Sequence, residues 1–111
     1  MKFRQIDLWV AVAVLASCLL YASAASAQGG AADLYKAKCA GCHGPDGSAS
    51  TPAGKSLKIR DFHSPDVQKQ TDAELSNLIS AGKGAMPAYK GKLTDDQIKQ
   101  LVGYIRTFAQ K

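Results

Sequence analysis

Apolar residues along this 111-residue chain follow two different patterns. Between Leu8 and Ala27 no side chain is charged, and Lys2 and Arg4 precede that run. Beyond Ala27 the apolar positions recur at steps of three and four, the spacing that gathers them on one face of a helix. Ala32 to Cys39 carries such a stripe in Leu34, Tyr35, Ala37 and Cys39, and Gly41 with Gly44-Pro45 ends it. Ser64-Pro65 reads as an N-cap with proline at the first helical position, opening a short helix through Val67. Thr71-Asp72-Ala73-Glu74 is a capping box, after which Leu75, Leu78 and Ile79 form one face until Gly82 ends the helix. A second capping box, Thr94-Asp95-Asp96-Gln97, places both acids in a first turn where the helix dipole favours them. Leu93 is set to staple onto Ile98, and Ile98, Leu101, Val102, Ile105, Phe108 and Ala109 then make a wide apolar stripe with Lys99 and Arg106 outside it. No stretch alternates apolar and polar residues long enough for a strand. The pattern predicts an all-α domain of about four helices joined by glycine-rich loops.

The first pattern reads as an export signal. Ala25-Ser26-Ala27 has the small-x-small form cut by signal peptidase, which makes residues 1–27 a signal peptide and 28–111 the domain. Two alternatives stand beside cleavage. Twenty uncharged residues can span a bilayer as an uncleaved anchor, although Ser17, Ser23, Ser26 and the alanines weaken the far half. Leu15-Ala16-Ser17-Cys18 resembles a lipobox, whose cysteine is acylated, but Leu19, Leu20 and Tyr21 follow where a polar tether is expected. All three fates send the domain across a membrane. The bacterial periplasm is the expected compartment, with membrane contact only if the segment is retained or Cys18 is lipidated.

Cutting after Ala27 leaves 84 residues with 12 basic and 8 acidic side chains, net +4. That charge is small and scattered, with no arginine-rich run, and it argues against nucleic-acid binding. A domain of this length has little core of its own and needs a staple or a prosthetic group.

Cys39-Ala40-Gly41-Cys42-His43 supplies one. Two cysteines three apart followed directly by histidine form the c-type haem attachment pattern: each thiol adds to one vinyl group and the adjacent histidine ligates the iron. Two competing readings are weaker. A redox disulfide normally follows a strand in an α/β fold, and no strand pattern precedes Cys39. A structural zinc needs four donors, which only Cys39, Cys42, His43 and His63 together could provide. For a sixth iron ligand, Met86 is the one methionine besides Met1, in the loop Gly82-Lys83-Gly84-Ala85-Met86-Pro87-Ala88-Tyr89 and off any helical stripe. Its soft thioether favours ferrous iron. His63 is the rival ligand, read otherwise as a surface residue flanking the Ser64-Pro65 turn.

These motifs, with Tyr35 four residues before Cys39 and the closing helix from Leu93 to Phe108, resemble the class I c-type cytochromes, and among them the small forms similar to cytochrome c6 and cytochrome c553. The resemblance implies a small cytochrome c fold around one covalently attached haem c, with the first and last helices crossing through Ala31 or Ala32 and Tyr35 against Leu101 and Tyr104. It also implies a proline carbonyl accepting the proximal histidine's ring proton, with Pro52 the best match and Pro45 the alternative. Leu57, Ile59, Phe62, Leu75, Leu78, Ile79, Leu93 and Val102 are expected to wrap the porphyrin and exclude water. Lys55, Lys58, Lys83, Lys90 and Lys92 would border the exposed edge and steer redox protein partners with acidic docking surfaces, or are ordinary solvated lysines. The function expected is a non-enzymatic electron carrier with His43 and Met86 as axial ligands. A membrane-tethered relay of an oxidoreductase complex, or a haem sensor or peroxidase-like protein, are the alternatives.

Overall fold

The computed structural model of the protein describes residues 30–111. The expected leader at 1–27, its cut after Ala27 and Cys18 lie outside these residues. Six α-helical segments follow in order: α1 at 30–38, α2 at Ala40–His43, α3 at Pro52–Ser56, α4 at Pro65–Gln68, α5 at Asp72–Ala81 and α6 at Asp95–Thr107. A 3-10 turn at Phe108–Gln110 continues α6. Among the described residues there is no strand, only isolated bridges pairing Lys83 with Met86 and Lys90 with Leu93, so the all-α expectation holds. No helix among them is long and apolar enough to cross a membrane.

Both capping boxes form as read. Thr71 Oγ1 accepts from the Glu74 amide while Glu74 Oε2 accepts from the Thr71 amide, and Thr94 and Gln97 repeat the exchange. One helix end and one element differ from the sequence reading. The first helix breaks at Cys39, resumes as α2 through Gly41, and ends at Gly44, the later of the two expected stops, whose φ of 82° suits glycine. Helix α3 was not anticipated, because Pro52-Ala53-Gly54-Lys55-Ser56 has no apolar stripe. Its signal is Thr51-Pro52, an N-cap plus proline at N1; Thr51 Oγ1 accepts from the Gly54 amide at 2.9 Å.

The core joins the two ends of the chain. Tyr35 on α1, 1% exposed, packs its ring against Tyr104 and Phe108 at centroid distances of 5.1 and 5.5 Å. This is the expected contact between first and last helices, with Ala31 and Leu101 also buried. Val67, Leu75, Ile79, Ile98, Val102 and Ile105 complete the cluster, each such side chain contributing about 1.5–3 kcal/mol by leaving water. Ala37 and Ala109, placed on the stripes by spacing, are exposed. Ala37 lies two positions past Tyr35, on the opposite side of α1, and the switch to 3-10 geometry at Phe108 rotates Ala109 away from the core.

Arg106 does not simply point outward. Its Nη1 donates to the Gln68 carbonyl at 2.9 Å, its Nη2 donates to the Gln70 carbonyl, and Nε and Nη2 donate to Asp72 Oδ1 at 3.0 and 2.9 Å. One α6 side chain therefore fastens the whole α4–α5 connection.

Candidate functional site

The site is built on three supports. The Cys39–His43 segment is held from below by the Tyr35 hydroxyl, which donates to the Gly44 carbonyl at 2.7 Å, and by Thr51 Oγ1, which donates to the Cys42 carbonyl at 2.8 Å. Gly54 lies under the same strut. A Cβ there would meet the Ala49 carbonyl oxygen at 2.2 Å and the Cys42 carbonyl oxygen at 2.8 Å, so α3 approaches the motif closely only because residue 54 has no side chain.

The second support is the loop after α5. Gly82 turns it at φ 70°, and its missing Cβ leaves room for the Met86 carbonyl, which would lie 2.6 Å away. Lys83 and Met86 then exchange two backbone hydrogen bonds at 3.2 and 3.0 Å, and the Tyr89 and Lys90 amides donate to the Ile79 and Ser80 carbonyls. The Tyr89 hydroxyl reaches across to the Lys38 carbonyl at 3.0 Å, tying the methionine loop to α1 just before Cys39. The third support is α6, which presents Leu101 and Ile105.

Between them lies an apolar cavity of about 570 Å³, within the range of roughly 300–1,000 Å³ usual for cofactor sites. Cys39, Cys42, His43 and Met86 all line it. So do seven of the eight apolar residues expected to wrap the porphyrin; Val102 does not, because it lies one residue round α6 from Leu101 and is buried in the core instead. His63 is absent from the lining. Its Nδ1 lies 2.6 Å from Asp61 Oδ1 and its ring rests on Phe108 at 5.7 Å, which makes it the turn-flanking residue of the second reading.

His43 stacks on Phe62, with ring centroids 4.5 Å apart and planes 18° from parallel. Burial holds its pKa below the usual histidine value, so it is a neutral imidazole, the form that binds metal. Its Nδ1 is buried and makes no hydrogen bond. No hydrogen bond joins it to the carbonyl of Pro52 or of Pro45 in this structure. Pro52 starts α3, where a fixed φ and a missing N–H are an advantage, and it lies outside the cavity lining.

Both cysteines are unbridged, with Cys39 half-buried and Cys42 exposed. Burial pushes the Cys39 thiol up to about 11, which disfavours the thiolate that a redox pair or a zinc site requires. No three His, Cys, Asp or Glu side chains gather as a metal cluster among the described residues. The arrangement fits a large flat apolar group far better: a haem-sized apolar space, two free thiols and a neutral histidine on one wall, and a thioether-bearing loop also lining it.

Charge at this cavity has one sign. Lys38, Lys58, Arg60 and Lys83 line it, all exposed, and no carboxylate does. Of the lysines read as bordering the edge, Lys58 and Lys83 are there, whereas Lys55, Lys90 and Lys92 are not among the lining residues. Lys38, Arg60 and Gln70 were missed. Lys38 lies on α1 off its apolar stripe, Arg60 sits in a segment with no apolar periodicity, and Gln70 is placed only by the Arg106 clasp 36 residues away.

Comparison with known proteins agrees with this geometry. Residues 26–105 match the family model described as cytochrome c oxidase, cbb3-type, subunit III. The chain is similar to cytochrome c6 of Leptolyngbya boryana, 38% identical over 78 residues that cover 70% of this chain and 88% of the relative. It is 35% identical to cytochrome c6 of Thermosynechococcus vestitus over 112 residues, covering 100% of this chain and 96% of the relative. Among solved structures it resembles the KustC0563 c-type cytochrome, with a TM-score of 0.65 and 35% identity over 69% of this chain and 94% of that one. The chain thus belongs to the class I c-type cytochromes, as a small electron carrier with one covalently bound haem c rather than an enzyme.

Proposed function

We propose that the protein is an exported single-haem electron carrier with His43 and Met86 as the axial ligands and Cys39 and Cys42 as the attachment thiols. The observation that carries this reading is that all four residues line one apolar cavity, although Met86 is 43 positions beyond His43. Haem c supplies one-electron chemistry between ferric and ferrous iron when bound. The protein's part is to hold and insulate it. Stacking on Phe62 fixes the His43 ring. The paired Lys83 and Met86 backbones limit movement of the methionine loop, so that ligation survives a change of charge on the iron. Leu75, Leu78, Ile79, Leu101 and Ile105 keep water out, which disfavours the extra positive charge of the ferric state and raises the potential.

Lys38, Lys58, Arg60 and Lys83, unopposed by carboxylates at the cavity, supply the positive field that steers an acidic redox partner. Residues 1–27 direct export and are removed after Ala27, which places the carrier in the periplasm. The optical spectrum tests the ligand set. Ferric protein is expected to show the weak red sulfur-to-iron band, and ferrous protein to bind carbon monoxide poorly. Met86→Ala should abolish both properties and lower the potential, while His63→Ala leaves them intact. A high-spin wild type without the red band that takes up carbon monoxide readily would move the protein to the sensor or peroxidase-like reading.

A further inference from the structure

Only two buried side-chain nitrogen or oxygen atoms among the described residues lack a hydrogen-bond partner, and both belong to residues lining the cavity. One is His43 Nδ1. The other is Gln70 Oε1, and nothing in the ligand set above uses it. Its surroundings are otherwise fully paired. Gln68 Nε2 donates to the Phe62 and Ile105 carbonyls at 2.7 and 3.1 Å, Gln68 Oε1 accepts from Arg106, and the Gln70 carbonyl also accepts from Arg106. Gln70 thus has a backbone clamped to α6 and a buried amide oxygen left unpaired beside the cavity. Burying an amide unpaired is unfavourable, so a rigidly held one points to a partner that the chain itself does not provide.

We propose that the Gln70 carboxamide hydrogen-bonds a peripheral carboxylate of the haem, and that Arg106 is the positioning residue that holds it there. The proposal rests on the haem occupying this cavity. Apart from the iron and its ligands, the two carboxylates are the polar groups of a haem c, and a buried carboxylate needs donors. A carboxamide offers N–H or oxygen according to a half-turn of its last torsion, so either edge can face the partner. The cations Lys38, Lys58, Arg60 and Lys83 lie exposed at the cavity, and the hydroxyls of Tyr35 and Tyr89 are engaged by the Gly44 and Lys38 carbonyls, which leaves Gln70, beside the ligand His43, as the neutral polar side chain there without a partner. The Met86 sulfur is the other acceptor at hand, but a thioether is weak and its donor pair serves the iron.

The test uses the complete haem-loaded protein. Resonance Raman of ferrous wild type and Gln70→Met, a side chain of similar length with no hydrogen to donate, compares the carboxylate bending band. It is expected to fall in frequency in the variant. Arg106→Leu should move it the same way by a smaller amount, and both should keep the low-spin spectrum and the red band. A bending band unchanged in Gln70→Met overturns the proposal, as does a shift confined to the red sulfur band. Should Gln70→Met fail to load haem, proton NMR of the ferrous wild type decides. Through-space contacts between the Gln70 amide protons and the haem carboxylate side chain support the assignment, and their absence overturns it. A low-spin protein with the red band but no Gln70 effect sinks this inference alone, whereas loss of low-spin character in the wild type sinks the ligand reading beneath it.

Discussion

Replacing Gly54 by alanine sets two effects of known size against each other. Alanine is favoured over glycine within a helix by about 0.8–1 kcal/mol, so on propensity alone the change in α3 should stabilise. The structure predicts the opposite. The added methyl would lie 2.2 Å from the Ala49 carbonyl oxygen and 2.8 Å from both the Ala49 carbonyl carbon and the Cys42 carbonyl oxygen, all of them backbone atoms that no rotamer change can move. Overpacking of this kind costs about 1–3 kcal/mol, and contacts this short belong at the upper end. The net expectation is a loss of about 2 kcal/mol, or about 8–16 °C in melting temperature for a domain of this size. Gly103→Ala is the matched control. Nothing lies within 4 Å of its added Cβ on the exposed side of α6, so it should gain the propensity term and melt about 4–8 °C higher. Thermal melts of the haem-loaded protein followed by circular dichroism measure both. A Gly54→Ala protein as stable as wild type, beside a stabilised Gly103→Ala, would refute the close approach of α3 to the Cys42–His43 segment.

Leu101→Ala removes a side chain that is 1% exposed and borders both core and cavity, and chemical denaturation should show a loss of about 2–5 kcal/mol. Asp46 is held below its ordinary value chiefly by the Ser48 hydroxyl, and Asp61 chiefly by the His63 amide. A lowered folded pKa means their contribution is complete above the unfolded value near 3.8 and is lost as pH falls through the folded one, so Asp61→Asn should lower the melting temperature near pH 7 and flatten its fall below about pH 4. Lys58→Glu with Lys83→Glu should slow reduction by an anionic reagent about tenfold or more at low ionic strength and reduce its salt dependence, read by stopped-flow absorbance.

What the sequence made legible follows from how locally each feature is determined. The capping boxes at Thr71 and Thr94, the α6 stripe and the Cys39–His43 motif depend on residues within one or two turns, and all but Ala109 are found where spacing puts them. Helix α3 escaped because its stability comes from a cap and from packing under Cys42, neither of which leaves a periodic trace. The roles of Arg106 and Gln70 were invisible for a related reason: a bond spanning 36 residues exists only once α4, α5 and α6 have packed. Periodicity puts Arg106 outside the stripe, and a clasp formed across the stripe's edge overrides it. Pro52 carries a second role that its expected part beside His43 does not announce: with the Thr51 cap it starts α3 through its fixed φ and missing N–H.

Proton NMR of the ferrous protein tests the central claim most directly. Met86 is the only methionine in the described residues, so ligation through its sulfur should give a single three-proton methyl line shifted far upfield by the porphyrin ring current, and that line should vanish in Met86→Ala. A ferrous spectrum without this line, or one that keeps it in Met86→Ala, would contradict the account of a His43 and Met86 ligated electron carrier.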